Sequence, residues 1–387
     1  MGFMQRITCV HQGWELYGSD RAFCESVRVI RRACPDAFIE VVLPQEGPIV
    51  GELEGIASRI VYEPLWILRR RELPRLATIG MLRLPVAVLR AARRIRSSDL
   101  TYVNTTVVAD YQIAARLCPK RTVLHVHEIP EGATRTVLNA LIRWSGARII
   151  FNSNATARSY ALRPGQPWRV VYNGIAGPEQ PNPPRYDGSR PLRLLMLGRI
   201  SRIKGQEVLV EAVRRLPEAV RRRVELRIVG SAFEDEARER ALAEQIADGG
   251  FEGRVMLSPF VRDPSPLYRW ADVVVVPSQR PESLGRVAIE AMSYGIPPVV
   301  SRIGGLTETV EDGRSGWVVE PGDADSLSAT LARIVAEPEA WRSYPAAAHA
   351  RYESVFSEAA AAEGIGAVLR EAGLACVTES PSAGARA

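Results

Sequence analysis

"VVVVPSQRPESLGRVAIEAM" (residues 273–292) sets a four-valine run, a Pro-containing loop and an amphipathic helical pattern in direct succession. An unbroken β-branched run reads as a strand buried on both faces, the kind found in parallel sheets. The same strand-then-helix unit recurs on either side. Nearby, strands are expected at 193–197, 224–229, 254–258, 272–276 and 297–300, with helices over 205–216, 232–247 and 284–294. Upstream, a second series of strands is expected at 5–10, 38–43, 99–104, 121–126, 147–151 and 169–172. Between the series lies "NGIAGPEQPNPPRYDGSRP" (173–191), a linker by its Pro, Gly and Asn content.

Alternating strands and helices imply parallel sheets covered on both faces, so the fold class is α/β. Two series imply two doubly wound, Rossmann-like domains facing across a cleft. The expected division is 1–176, a linker at 177–191, and 192–353. An Ala-rich amphipathic helix over 354–372 is expected to cross back to the first domain, ahead of a disordered tail at 373–387. Ligands of such folds bind at the carboxyl ends of the strands, so the cleft is the expected site.

Composition narrows the class. The 387 residues are 46% hydrophobic and 24% charged, as in ordinary globular proteins. No apolar run is long enough to span a membrane. The start, "MGFMQRITCV", lacks a charged segment followed by an apolar one, so no secretory signal is expected. Five scattered cysteines without a C-x-x-C pair suit a reducing, cytoplasmic setting. Four histidines, at 11, 125, 127 and 349, form no cluster of metal-site spacing, and no metal or other cofactor is expected. The net charge of +6 is uneven, and residues 66–96 hold nine Arg against one Glu among Leu, Ile, Val and Trp. That mixture suits a peripheral contact with an anionic membrane surface. Nucleic acid is not expected as a partner, because no nucleic-acid-binding motif accompanies the patch.

Glu282 and Glu290 stand on either side of the point where the helix begins. Exposed N–H groups at a Gly-containing helix start form a ready anion site. A carboxylate on each side of an anion can hydrogen-bond a diol. Ribose, diphosphate and sugar present that sequence of groups. Lys204 adds to this. Of 50 Lys and Arg residues only Lys120 and Lys204 are Lys, and Lys204 sits in "LGRISRIKGQ" (197–206), just after a strand. A compact cation there is suited to a phosphate.

These stretches resemble retaining glycosyltransferases of the GT-B fold, most closely glycosyltransferase family 4. The resemblance rests on the E-x(7)-E spacing of Glu282 and Glu290, "LGRISRIKGQEVLVEA", "VVYNGI", "YRWADVVVVPS" and "GIPPVVSRIGGLTETVEDGRSGWVVEPGD". It implies that Glu290 binds ribose hydroxyls and Glu282 the donor sugar. Ser283, Leu284, Gly285 and Arg286 would hold sugar hydroxyls and phosphate, and Arg199 and Lys204 the diphosphate. The base would lie near Gly230 and Phe260. Gly18 and Ser19, in "HQGWELYGSDRAF" (11–23), would approach the diphosphate from the first domain, which would bind the acceptor. Ser283 departs from the commoner Gly, Pro or Ala of the family.

"RTVLHVHEIPEG" (121–132) places His125 and His127 on one face of a strand. His125 is expected to pack within the strand layer. His127 resembles the family's histidine near the reacting sugar, with Glu128 a neighbour able to tune it. The implied reaction is metal-independent, retaining transfer of a hexose from a UDP- or GDP-sugar to a glycan or lipid-linked acceptor in cell-surface polysaccharide or glycolipid assembly. Two other readings stand beside it: a nucleotide-sugar epimerase of the same fold, and a non-catalytic nucleotide-sugar-binding partner in a biosynthetic complex.

Overall fold

The computed structural model describes residues 4–16, 18–68, 81–232 and 235–375. The chain divides into two compact units, Met1–Gly174 with Glu358–Ala387, and Ile175–Ser357.

The first unit holds β1 (Arg6–Val10), β2 (Phe38–Leu43), β3 (Arg59–Tyr62), β4 (Leu100–Val103), β5 (Thr122–Val126), β6 (Arg148–Phe151) and β7 (Trp168–Val170). They form one parallel sheet in the order β3-β2-β1-β4-β5-β6-β7. Strand alternation fills both faces. Ile7 and Cys9 of β1 pack in one layer with Phe23, Val27 and Ile30 of helix Gly18–Ala33. Val10 enters the other layer with Ile95, Tyr111 and Ile142. The chain runs outward from β1 to β3, then returns to the far side of β1 as β4. That reversal opens a crevice at the carboxyl ends of β1 and β4, the usual ligand position in such sheets.

The second unit holds β8 (Leu192–Leu197), β9 (Val224–Val229), β10 (Val255–Ser258), β11 (Val273–Val276), β12 (Pro298–Ser301) and β13 (Trp317–Val319). Their order is β10-β9-β8-β11-β12-β13, again all parallel. The valine run is β11, buried throughout, with Val273 and Val275 in one layer and Val274 and Val276 in the other. The reversal here lies between β8 and β11.

The α/β class and the two doubly wound units agree with the sequence reading. Two strands escape it, β3 and β13, both at sheet edges. The residues read as a linker are strapped onto the second unit. Tyr186 is buried and stacks on Trp341 at 5.8 Å, and Arg190 forks onto the buried Asp272 at 2.6 and 2.7 Å. The C-terminal helical stretch is also interrupted. A π-helical turn, Tyr352–Phe356, ends at Ser357, whose backbone is extended (ψ 160°). The last helix, Glu358–Glu371, then buries Ile365, Val368 and Leu369 in the first unit's core, worth roughly 1.5–3 kcal/mol for each side chain. Cys34 is disulfide-bonded, which the scattered cysteine spacing does not foresee, while Cys9, Cys24 and Cys118 are free. No described helix is long and apolar enough to cross a membrane. The tail from 376 and residues 69–80 of the arginine-rich segment lie outside the described residues.

Candidate active site

In the second unit, β8 and β11 deliver two loops, 198–205 and 277–285, that meet at the carboxyl end of the sheet. The amide of Gln279 donates to Ile203 O at 2.7 Å. Buried Gln206 donates to Arg199 O at 3.1 Å and staples the first loop from beneath. Both loops end on a glycine that caps a helix in the left-handed region: Gly205 (φ 79°) before Gln206–Arg214, and Gly285 (φ 98°) before Arg286–Ser293. A Cβ at Gly205 would lie 2.1 Å from Pro277 O, and one at Gly285 would lie 2.4 Å from Leu306 Cδ2. Left-handed backbone and these close contacts together select glycine. Each helix has at its N-cap a glycine, which brings no side chain of its own to the end, so two positive N-terminal ends stand at the same edge of the sheet.

The charged residues gather around these ends. Lys204 Nζ lies 2.8 Å from Glu282 Oε1, and Ser278 Oγ donates to the same oxygen. The pair is partly open, with side-chain exposures of 28% and 15%, so an anion has access to the ammonium. Glu290 is held by two donors. Arg286 Nε reaches Oε1 at 2.6 Å, and the Tyr268 hydroxyl donates to Oε2 at 2.7 Å. Burial first, and the Glu290 carboxylate second, push Tyr268 well above the usual phenol range, so its proton stays on. Tyr268 is a site residue that sequence reasoning missed.

The remaining predicted donor residues fall nearby in the fold. Arg199 is exposed on the first loop. Gly230 follows β9 and donates its amide to Ser258 O at 2.9 Å. Phe260, 56% exposed, donates its amide to Ser231 Oγ at 3.1 Å. Leu284 is buried and Ser283 partly buried in the loop ahead of the helix. The Glu282 carbonyl beside them accepts from Gly305 N at 2.7 Å.

In the first unit, Gly18 opens its helix with space around it, since a Cβ there would meet nothing within 4 Å. Ser19 Oγ lies 3.4 Å from Asp20 Oδ1. His125 is buried in the strand layer with Nδ1 on the Tyr102 hydroxyl. His127 stands one residue beyond β5, partly buried, with Nε2 at 3.0 Å from Asn104 Oδ1. Burial, with a smaller push from His11, lowers its pKa to about 3, so the ring is neutral across the physiological range. Glu128 does not reach the ring. Its carboxylate accepts from Thr105, Thr106 and the His127 amide (3.2 Å) and braces the loop instead. Among the described residues, no group of three His, Cys, Asp or Glu side chains is placed to hold a metal.

Comparisons with known proteins bear on this arrangement. Residues 187–351 match the model of the family described as glycosyl transferases group 1. A D-inositol 3-phosphate glycosyltransferase of Thermobifida fusca is 36% identical over 189 residues, 46% of this chain and 42% of that protein. Its namesake from Xylanimonas cellulosilytica is 40% identical over 145 residues, 36% of this chain and 34% of that one. The chain thus spans 42% or less of the length of these curated relatives. Among solved structures, Anabaena HepE in complex with UDP and glucose superposes with a TM-score of 0.77, at 23% identity, over 95% of this chain and 99% of that one. The lipopolysaccharide outer core galactosyltransferase WaaB, in its apo form, gives 0.73 at 16% identity over 95% and 100%. At such identities the likeness is one of fold. The chain has the GT-B fold, and its residues 187–351 match the glycosyl transferases group 1 family.

Proposed function

We propose that the protein is a retaining glycosyltransferase that moves a hexose from a nucleoside diphosphate sugar to an acceptor hydroxyl. The observation that carries this is the grouping of Lys204, Glu282 and Glu290 around two helix ends whose N-cap residues are glycines. Glu290, fixed by Tyr268 and Arg286, accepts from the ribose hydroxyls. The diphosphate takes the place beside Lys204 and the helix at Gly285, with Arg199 as a second cation. Glu282 then turns its oxygens to the donor sugar. As the glycosidic bond breaks, charge grows on the leaving diphosphate, and Lys204 and the backbone N–H groups stabilise it. The leaving phosphate takes the acceptor's proton on the same face, which retains the anomeric configuration. These groups neutralise the diphosphate without a metal, so turnover should survive EDTA.

A UDP-sugar is the favoured donor, since HepE was crystallised with UDP and with UDP-glucose. The acceptor is proposed to be a glycan or lipid-linked alcohol bound by the first unit. The names of the curated relatives make a phosphorylated inositol the first soluble alternative to assay. Helix Met81–Arg96 exposes Leu82, Val86 and Leu89 beside Arg83, Arg93 and Arg96, a composition suited to an anionic membrane surface. Flotation with anionic but not neutral vesicles is expected, and flotation with neither would remove the membrane from the reading.

The deciding experiment is a thermal-shift screen of UDP- and GDP-sugars, followed by turnover of any hit with candidate acceptors. A bound donor raises the melting temperature by mass action. Release of an epimerised nucleotide sugar without acceptor would favour the epimerase. Binding without either product would favour a non-catalytic partner.

A further inference from the structure

His11 follows β1, Asn104 follows β4 and His127 follows β5, and these three strands are neighbours in the sheet. Their side chains form a continuous line. Asp20 Oδ1 lies 2.8 Å from His11 Nε2, His11 Nδ1 lies 3.3 Å from Asn104 Nδ2, and Asn104 Oδ1 lies 3.0 Å from His127 Nε2. Asp20, His11 and Asn104 are 3%, 0% and 2% exposed. Asp20 also accepts from Leu16 N at 2.9 Å, and His11 stacks on Phe23 with centroids 4.5 Å apart. None of these three residues belongs to the donor site.

The carboxylate sets the polarity of the whole line. With Nε2 directed at the Asp20 carboxylate, the His11 ring turns Nδ1 to Asn104, where it can accept from the amide NH2. Asn104 must then turn its NH2 to His11, which leaves its oxygen toward His127. An amide oxygen only accepts, so His127 Nε2 is protonated and Nδ1 is bare. The sole described neighbour of Nδ1 on this line is Asn173 Nδ2, at a long 3.5 Å.

We propose that Asp20, His11 and Asn104 are positioning residues that fix His127 as the Nε2–H tautomer and present its Nδ1 lone pair to a ligand hydroxyl. The role for a sugar or acceptor hydroxyl rests on the function proposed above. The tautomer does not.

The test uses the full chain with 15N-labelled histidine, His127→Gln identifying the His127 signals. A protonated Nε2 and bare Nδ1 from pH 8 to pH 5 are expected. In Asn104→Leu the two tautomers should mix, and kcat should fall about tenfold, the worth of one hydrogen bond, with donor KM unchanged. Asn104→Asp gives up the donor to His11 but keeps an accepting oxygen toward His127 Nε2, and should restore the His127 tautomer. Asp20→Asn removes the anchoring charge with little change of shape and serves if Asn104→Leu fails to fold. It too should mix the tautomers. A wild-type His127 protonated on Nδ1, or a tautomer indifferent to both changes, would overturn the proposal. A tautomer as stated with no nucleotide sugar turned over would sink the glycosyltransferase reading and leave the relay standing.

Discussion

The carboxyl ends of the two sheets are built on one plan and furnished in opposite ways. Beyond β8 and β11 stand full charges: Lys204, Glu282, Arg286, Glu290 and, further out, Arg199. Beyond β1, β4 and β5 stand imidazoles and an amide anchored to one buried carboxylate, with the His127 ring held neutral by burial. Charges gathered at helix ends suit a ligand that is itself an anion. Uncharged groups in a dry setting suit hydroxyls, whose recognition depends on which atom donates. The same topology therefore carries two kinds of end, one whose charges suit an anion and one whose imidazoles and amides suit hydroxyls.

The widest break in that contrast should come from Lys204→Ala. Loss of a donor to the developing phosphate charge is expected to lower kcat about 10²–10³-fold, the range for one preorganised donor. Near-wild-type turnover would remove the second unit's claim to grip a diphosphate. Glu290→Gln should come next, raising donor KM roughly 10- to 100-fold because a charge-assisted hydrogen bond is weakened. Isothermal titration with UDP would show it directly.

Acid separates the two ends in another way. His127 has its pKa lowered to about 3 by burial and by His11, against about 6.5 in an unfolded chain. Between those values the unfolded state binds the extra proton, so stability rises with pH there and is lost as pH falls. The ring should contribute a slope of up to about 1.4 kcal/mol per pH unit. Urea unfolding of His127→Gln between pH 6 and 4 should show a flatter acid limb than the wild type. Parallel limbs would mean that the imidazole is not held neutral. The smallest effect is expected from Tyr268→Phe. It removes one of two donors to Glu290, costing about 1 kcal/mol, or roughly fivefold in donor KM, with kcat preserved.

What could be read from the chain follows from how local each signal is. The valine run of β11 and the Gly-led helices after β8 and β11 announce themselves within a few residues. β3, "RIVY", does not, because at the sheet edge its residues are half exposed and lack a buried run's composition. β13, "WVV", is three residues long and gains its identity from pairing with β12. The packing of the linker residues was hidden for a related reason. Pro and Gly mark an irregular backbone, but the stacking of Tyr186 on Trp341 joins residues far apart in sequence. In the site, the Glu282 and Glu290 spacing and the odd Lys204 were legible. Tyr268 was not, since its reach to Glu290 depends on how helix Ser265–Trp270 packs. His11 and Asn104 carried a usable signal: each is the polar residue directly after a parallel strand, where ligands gather in such sheets.

The first unit is not one continuous stretch of chain. Residues 175–357 intervene before helix Glu358–Glu371 supplies Ala361, Ile365, Val368 and Leu369 to its core. During synthesis the interior unit has its complete sequence as soon as residue 357 leaves the ribosome. The flanking unit, though made first, waits for the last helix to cover β1 and its neighbours. The two halves should therefore mature in the reverse of their order of translation. Expressed as fragments, 175–357 should fold alone, while 1–174 should expose an apolar face until the missing helix is added back.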